Sequence, residues 1–406
     1  MKNEQTSLLL NYENEITKIC ELKRSDTPLI SKVKIDKFTN EANKNFDYEF
    51  DGENKFYPFL FPQIIEELDF NILCIVGASG SGKSVFSRYF GKEKIIEWDN
   101  TKAIISNFDN VDEAIEKLNS VGLNSIPTWC KPRNVLSVGE GFRADLARKL
   151  ESNCVIDEFT STIDRNVAMS CSNSIQKYIR NKGLKRCVFV SCHKDFIDVL
   201  KPDYVIDLDD GCIYDTRRIP KRQFKLSIYE TTSKKEVWKI FKRHHYLSSD
   251  LNLASRVFIA FLNNEIVGFM AILPLPNGAF KNAFRIHRLV ILPEYQGLGI
   301  ASNMISYFAN LYAKQGKGFY IRTSHVKLKE YFSNSNKWIE TNRSGKVSPS
   351  LMLNSKNKQK DRIAYSYKYI GKYNEYLDKD DVKLFFDNIK IEETSKVEQF
   401  NIFDYL

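Results

Sequence analysis

Three short segments of the sequence combine residue types that could bind or cleave phosphate groups. The first is NILCIVGASGSGKSVF, which fits the pattern G-x-x-x-x-G-K-[ST]. Glycines in this pattern let backbone N–H groups close around phosphate oxygens, the lysine reaches the β- and γ-phosphates, and the serine can ligate Mg²⁺. The segment predicts an ATP site, whose ligands would be Gly77, Ser79, Gly80, Ser81, Gly82, Lys83 and Ser84.

The second segment, NCVIDEF, is an apolar run that ends in two adjacent acids, Asp157 and Glu158. Beside a phosphate loop, Asp157 could hold Mg²⁺ through water and Glu158 could polarise a water in line with the γ-phosphate. The predicted Mg²⁺ site is therefore Ser84 with Asp157, and the predicted catalytic carboxylate is Glu158. The alternative, two acids that cap a helix, fits less well directly after an apolar strand.

The third segment, VILPEYQGLGIAS, places Gln296, Gly297 and Gly299 between an apolar strand and an amphipathic helix. Successive backbone N–H groups at a helix start form a nest for phosphate, and glycines allow a close approach of the ligand. A purely structural strand-to-helix turn is the alternative.

The elements that must position these segments can be predicted from the patterns around them. NILCIV and NCVID predict strands, and a helical pattern follows the first glycine-rich turn. After a basic linker, the sequence predicts a helix, a hairpin with NNEIVG at its turn, further strands and a long helix behind the third segment. We therefore expect an α/β chain with an ATPase domain at 1–220, a second α/β domain with a mixed sheet at 221–370, and an extension at 371–406.

Four motifs of the first half resemble those of ABC-type ATPases in the family's order. LSVGEGFRADLARKL resembles the signature helix, DEFTSTID the Walker B and D-loop, VFVSCHKDF the switch-histidine strand, and PDYVIDLDDGCIYD the terminal hairpin. Residues 32–60 resemble the small antiparallel sheet before the phosphate loop. The resemblance implies a homodimer that sandwiches ATP between the phosphate loop of one copy and the signature of the other. The further residues implied at the ATP site are Ser137, Gly139, Glu140, Asp164 and His193.

The first half also departs from the family. Val138, Glu140 and Phe159 replace the usual glycine, glutamine and proline, and residues 85–150 contain no glutamine for the loop that couples a transporter to its membrane domain. We expect this domain to drive something other than transport. Tyr48 or Phe50 could stack on adenine, with a core position as the alternative.

The third segment resembles the acetyl-CoA loop of the GNAT acetyltransferase family, V-x-P-x-x-[QR]-G-x-G-x-[GA], and the resemblance extends over about residues 230–370. It implies that acetyl-CoA or another acyl-CoA binds there, with its acyl group between the strands around 290 and 321. The residues implied in CoA binding are Val290 and Leu292, through their backbone, and Gln296, Gly297, Leu298, Gly299, Ile300 and Ala301.

The family often uses a carboxylate or a bound water as base and a tyrosine as acid. Here Arg285 and His287 stand where an acid is often found, so His287 is a candidate base. Tyr331 is the tyrosine nearest to the usual place of the acid, although its spacing to Trp338 is two residues too long. A metal site is a further alternative for the histidines of this half, which are His244, His245, His287 and His325.

HHYLSS, RLV and SNKWIETNRSG resemble Mom-type proteins, GNAT-fold phage enzymes that hypermodify adenine in DNA. The charge agrees with a nucleic-acid partner: residues 221–370 hold 25 Lys+Arg against 8 Asp+Glu, whereas residues 1–220 hold 30 against 34. A duplex base would have to be flipped out. Tyr246, Trp338 and Arg343 could stack on or clamp it, and core positions are the alternative for the two aromatics.

The composition sets the remaining bounds. Apolar stretches are short of the ~20 residues of a membrane span, the N-terminus does not read as a secretion signal, and eight cysteines without a CxxC pair favour reduced thiols. We therefore expect a cytoplasmic protein. Three functions stay open: a nucleic-acid acyltransferase coupled to ATP hydrolysis, an ATP-regulated acetyltransferase of small amines, and a non-catalytic nucleic-acid clamp.

Overall fold

The computed structural model describes residues 12, 14–46, 48–220, 222, 226–245, 250–262, 265–275, 282–342, 344–347 and 363–371. The chain divides into two compact units, Met1–Arg222 and Gln223–Leu406. The predicted extension lies outside the described residues from residue 372 onward.

The first unit contains a mixed sheet and a separate two-stranded antiparallel sheet. Its strands are β1 (Thr17–Glu21), β2 (Leu29–Lys32), β3 (Glu53–Phe56), β4 (Ile72–Val76), β5 (Val155–Ile156), β6 (Cys187–Ser191), β7 (Tyr204–Asp207) and β8 (Cys212–Asp215). Its helices are α1 (Lys37–Phe46), α2 (Ile64–Glu67), α3 (Lys83–Ser87), α4 (Val111–Ser120), α5 (Ile126–Trp129), α6 (Val138–Lys149), α7 (Arg165–Lys182) and α8 (Ile197–Leu200).

The sheet order β1-β8-β7-β4-β6-β5 explains how distant motifs meet. Strand β4 runs parallel to β6 and β7, and β5 runs parallel to β6, with β8 and β1 antiparallel at one edge. Both β4 (ILCIV) and β6 (CVFVS) are buried along their whole length, as expected for parallel strands covered on both faces. The carboxyl ends of parallel strands lie at one edge, so the segments after β4, β5 and β6 lie close together there.

A small antiparallel sheet precedes the phosphate loop in the chain, as the family resemblance of residues 32–60 implied. Its strands are β2 and β3, with Leu29 opposite Phe56, and α1 lies between them in the sequence.

The second unit contains a mixed sheet of order β14-β16-β13-β12-β11-β10-β9 with β15 beside β16. Its strands are β9 (Leu226–Thr231), β10 (Arg256–Leu262), β11 (Glu265–Pro274), β12 (Ala283–Ile291), β13 (Gly318–Thr323), β14 (Trp338–Glu340), β15 (Lys346–Val347) and β16 (Ile363–Tyr369). Its helices are α9 (Lys234–Lys242), α10 (Ile300–Lys314) and α11 (Val326–Ser333). The predicted hairpin is confirmed by the antiparallel pairing of β10 with β11.

Strands β12 and β13 diverge after a short parallel contact. They pair only over Ala283–Arg285 and Gly318–Tyr320, and the rest of each strand faces an opening. On its other side, β12 pairs with β11 through a bulge, because the register passes from Ala271 opposite Arg288 to Ile272 opposite Ile286. His287 is the extra residue of this bulge, and bulges often re-aim side chains beside functional sites. Helix α10 packs Met304, Ile305 and Phe308 into the core of this unit.

Candidate functional site

The phosphate loop follows β4 and leads into α3. Gly82 precedes α3 with φ 96°, a left-handed conformation that favours glycine, and a Cβ there would lie 2.4 Å from Cζ of Phe56. Phe56 is the last residue of β3, so the small sheet covers this end of the loop. The loop borders a cavity of about 360 Å³, lined by Phe56, Ser79, Gly80, Gly82, Lys83, Ser84, Val85 and Glu158.

Phe56 is an aromatic wall of this cavity that the sequence analysis missed. Tyr48, one of the two expected adenine-stacking residues, is 61% exposed, and neither it nor Phe50 is among the lining residues. The available signal was a phenylalanine at the end of the strand nearest to the phosphate loop in the sequence.

Lys83 is buried, and its Nζ donates to the carbonyl oxygen of Ala78 at 2.8 Å. The ammonium is therefore held inside the loop, where it can turn to phosphate oxygens in the cavity. Ser84 lines the same cavity, and Asp157 directly precedes Glu158, another lining residue. Hydroxyl and carboxylate oxygens suit Mg²⁺, so the donors fit this ion.

Glu158 stands in a strained turn after β5. Glu158 has φ 51° and Thr160 has φ 71°, left-handed values that are uncommon for residues other than glycine. The carboxylate accepts a hydrogen bond of 2.5 Å from Ser161 Oγ, and the backbone N–H of Glu158 donates to Asp157 Oδ1 at 2.9 Å. These contacts hold the Glu158 carboxylate at the cavity, as its predicted role requires.

His193 follows β6 and is half-buried, and its backbone N–H donates to Ser191 Oγ at 3.0 Å. Burial, and then the charge of Arg165, lower the pKa of its imidazole, while Asp195 and Glu158 oppose the shift. A lowered pKa keeps the ring neutral at pH 7, with one nitrogen able to donate and the other able to accept.

Ser137 caps α6 in a capping box: its side chain accepts from the Glu140 N–H, and the Glu140 carboxylate accepts from the Ser137 N–H at 3.1 Å. Glutamate and glutamine both serve this motif, which explains why Glu140 can replace the usual glutamine. Asp164 caps α7 by accepting from the Asn166 N–H at 2.8 Å. Among the described residues that line the cavity, none comes from the signature at 137–140.

The glycine loop of the second unit leads from β12 into α10. Gln296 Nε2 donates to the Ile291 carbonyl at 2.9 Å, and Gly299 caps α10 with φ 87°. A Cβ on Gly299 would meet Ser302 Oγ and Asn303 Nδ2 in ordinary van der Waals contact at 3.8 Å, so the fold leaves room for it. Gly297, also left-handed with φ 94°, belongs to the same turn. The residues that hold the loop to the core are Leu298, Ile300 and Ala301.

The expected backbone contacts of Val290 and Leu292 need correction. Leu292 donates its N–H to the Val267 carbonyl of β11 at 2.9 Å, so it points away from the opening between β12 and β13. The backbone N–H and C=O groups of successive residues alternate in direction along a strand, so those of Val290 also face β11. The backbone groups of Leu289 and Ile291 face the opening. Leu289 and Ile291, rather than Val290 and Leu292, are therefore the residues placed to meet a pantetheine arm with their backbone.

Tyr331 lies on α11, and its hydroxyl is 2.9 Å from Ser306 Oγ of α10. Ser306 is in the second turn of the helix that starts at the glycine loop. His287 Nε2, in contrast, accepts a hydrogen bond from the backbone N–H of Asn252 at 3.2 Å. To act as a base, His287 would have to break this hydrogen bond. Trp338 is buried against Phe332, with ring centroids 4.7 Å apart, so it is a core residue.

Burial first, and then the nearby charges of Arg288, Arg285 and His245, lower the pKa of His287 from 6.5 to about 4. His287 therefore binds a proton more weakly in the folded state than in the unfolded state. The stabilisation that the neutral side chain contributes above pH 6.5 is lost as the pH falls toward 4. Gln can supply an acceptor for Asn252 without titrating. We expect His287→Gln to lose fewer degrees of thermal midpoint than the wild type between pH 7.5 and pH 5, measured by circular dichroism. Equal losses in both proteins would contradict this.

Two expectations about the second unit concern residues that the structure does not describe. Tyr246 and Arg343 lie outside the described residues.

In the described part of the chain, no group of three or more His, Cys, Asp or Glu side chains could hold a metal ion. The same part contains no helix long and apolar enough to cross a bilayer.

Comparison with known proteins gives one family match: the model of the acetyltransferase (GNAT) family matches residues 215–328. None of the curated proteins matches the chain. A solved GNAT acetyltransferase from Staphylococcus aureus is 20% identical with a TM-score of 0.26, over 36% of this chain and 98% of that chain. A GNAT acetyltransferase from Elizabethkingia anophelis with acetyl-CoA bound is 13% identical with a TM-score of 0.26, over 36% of this chain and 97% of that chain. An ATP-binding cassette in a dimeric post-hydrolysis state with ADP and Pi is 17% identical with a TM-score of 0.31, over 47% of this chain and 95% of that chain.

The chain thus carries, at residues 215–328, a domain that matches the GNAT acetyltransferase family, and before it a mixed α/β domain with a glycine-rich phosphate-loop motif. The predicted fold class is confirmed, and the family match confirms the predicted class of acyl-CoA-dependent enzyme for the second half.

Proposed function

We propose that the chain hydrolyses ATP in its first unit and, coupled to this, transfers an acyl group from acyl-CoA to an amino group of nucleic acid in its second unit. In the first unit, Lys83 and the loop N–H groups bind phosphates, Glu158 polarises water, and His193 contacts the γ-phosphate. Mg²⁺ held by Ser84 and Asp157 would neutralise phosphate charge.

A homodimer completes the ATP site in this proposal. The signature residues do not line the cavity of their own chain, and Ser137 and Gly139 stand at the exposed start of α6. Helix N-termini bind anions, so this end of α6 suits the γ-phosphate held by a second copy. The load of the ATPase is the acyltransferase unit rather than a transporter.

In the second unit, the glycine loop binds the CoA pyrophosphate, and Leu289 and Ile291 bind the pantetheine arm. The acceptor nitrogen attacks the thioester carbonyl carbon, the C–S bond breaks, the nitrogen loses its proton and the departing thiolate gains one. Tyr331 gives the thiolate its proton. An alkyl amine is an ammonium ion at pH 7 and must lose a proton to a base before it can attack. A nucleobase amine is already uncharged at pH 7, so it needs no carboxylate for this step.

The observation that carries the choice of acceptor is the positive charge of the second unit, since residues 221–370 hold 25 Lys+Arg against 8 Asp+Glu. Arg285, exposed on β12 where its pairing with β13 ends, carries one of these charges. Such surroundings repel an ammonium substrate and attract phosphate.

The experiment measures binding of fluorescein-labelled single- and double-stranded DNA and RNA at several salt concentrations, then transfer of radiolabelled acetyl groups from acetyl-CoA to the bound polymer. We expect Arg285→Gln to reduce the slope of log K against log[salt] by about one. Arg256→Gln is the matched control, because it removes the same charge where Glu230 neutralises it. Acetylation of free small amines with no binding to any polymer would overturn the nucleic-acid proposal.

A further inference from the structure

A buried lysine connects the loop of His193 with the phosphate loop. Lys194 follows His193, and its side chain is only 5% exposed. Its Nζ lies 2.6 Å from Asp207 Oδ2 and 2.9 Å from Asp209 Oδ2. Burial of an ammonium is costly unless it is paired, and here two carboxylates on the end of β7 and the following turn pair with it.

Asp209 reaches the phosphate loop with its second oxygen. Asp209 Oδ1 accepts the backbone N–H of Ala78 at 2.7 Å. The turn that presents this carboxylate is itself fixed, because the Asp209 N–H donates to Asp207 Oδ1 at 3.0 Å. The fit is close, since a Cβ on Gly77 would lie 3.3 Å from the same oxygen.

The Ala78 residue is thus held from two sides, by Asp209 at its N–H and by Lys83 at its carbonyl. When Lys83 turns to phosphate, its bond to the Ala78 carbonyl is lost, and the bond from Asp209 stays. Asp209 can therefore keep the start of the loop in position during nucleotide binding.

We propose that Lys194 and Asp209 are positioning residues for ATP hydrolysis: they hold the phosphate loop in its binding geometry and keep the His193 loop in register with it. This inference rests on the proposed ATPase function. Neither residue lines the cavity, so both act through Ala78 and His193 rather than on the nucleotide.

Two variants of Asp209 separate the hydrogen bond from the ion pair. Asp209→Ala removes both, and we expect it to weaken ATP binding on the order of tenfold and to slow hydrolysis. Asp209→Asn keeps an oxygen for the Ala78 N–H but loses the charge that faces Lys194. We expect its ATP affinity to stay within about twofold of wild type while kcat falls on the order of tenfold.

Asp210→Ala is the matched control. Asp210 belongs to the same turn, but its carboxylate accepts from the backbone N–H of Cys212 at 3.0 Å and from the Tyr214 hydroxyl at 2.7 Å. Both donors lie in β8, so Asp210 has no bond to the phosphate loop among these contacts. Affinity is measured with a fluorescent N-methylanthraniloyl ATP, turnover by phosphate release, and folding by the thermal midpoint of each variant. Asp210→Ala should keep wild-type affinity and kcat.

Lys83→Ala distinguishes a failure of the positioning role from a failure of the ATP site itself. If the wild type binds ATP and Lys83→Ala does not, the ATP site is established, and equal affinity and kcat of folded Asp209→Ala and Asp210→Ala would then overturn the positioning role alone. An Asp209→Asn variant with unchanged kcat would refute the tie to the His193 loop. A wild-type chain that binds no ATP would overturn the proposed ATPase function and this inference with it.

Discussion

Glu158→Gln lowers the rate of ATP hydrolysis by at least about 100-fold and leaves ATP affinity within a few-fold of wild type. Glutamine has the size of glutamate and can still accept from Ser161 Oγ, so the strained turn after β5 is expected to persist. The amide cannot polarise water as a carboxylate does, so only the chemical step suffers. Phosphate release and binding of a fluorescent ATP analogue measure the two quantities.

The matched control for this prediction is Glu151→Gln. Glu151 precedes the other end of β5, and its carboxylate pairs with Lys94 on the surface, 3.0 Å away. Hydrolysis by this variant should equal that of the wild type. Glu158→Gln turnover within tenfold of wild type would show that another group polarises the water.

Gly299→Ala weakens acetyl-CoA binding by about 10- to 100-fold. A side chain at φ 87° strains the backbone by about 1–3 kcal/mol, and the new methyl group would keep the pyrophosphate from approaching the loop backbone closely. Isothermal titration calorimetry with acetyl-CoA gives the affinity, and the thermal midpoint gives the stability.

Gly316→Ala isolates the effect of strain. Gly316 lies just beyond the other end of α10 with φ 67°, and a Cβ there would meet no atom within 4 Å. Both variants should lose similar stability, but Gly316→Ala should bind acetyl-CoA as the wild type does. Equal affinity of the two variants would mean that the glycine loop does not bind the pyrophosphate.

The phosphate loop, the acids after β5 and His193 could be predicted because each follows a buried strand of one parallel sheet, whose topology brings their ends together. The glycine loop could be predicted for the same local reason, a strand followed by a helix. The residues of β12 whose backbone faces the opening were placed one position off, because the direction of a backbone N–H depends on which neighbour a strand pairs with. That pairing, and the bulge at His287, are long-range features with no mark in the local pattern.

Other parts of the site depend on contacts between residues far apart in the chain. Phe56 reaches Gly82 across 26 residues, and its position at the end of ENKF indicates that it lies near the phosphate loop but not that it contacts Gly82. Lys194 and Asp209 look like ordinary charges of surface loops in the sequence. Only the folded chain shows that Lys194 is buried between two carboxylates and that Asp209 bonds to Ala78.

The divergence of β12 and β13 has a consequence for how long the second unit survives in the cell. Beyond Arg285 and Tyr320 the two strands present edges that are not paired with each other, and open strand edges invite association with other chains. A pantetheine arm lying between them would cover these edges and bind only the folded state. At 100 times its Kd such a ligand adds about 2.7 kcal/mol to the free energy of unfolding. The supply of acyl-CoA would then set the abundance of the protein as well as its turnover, with fewer intact copies when the donor is scarce.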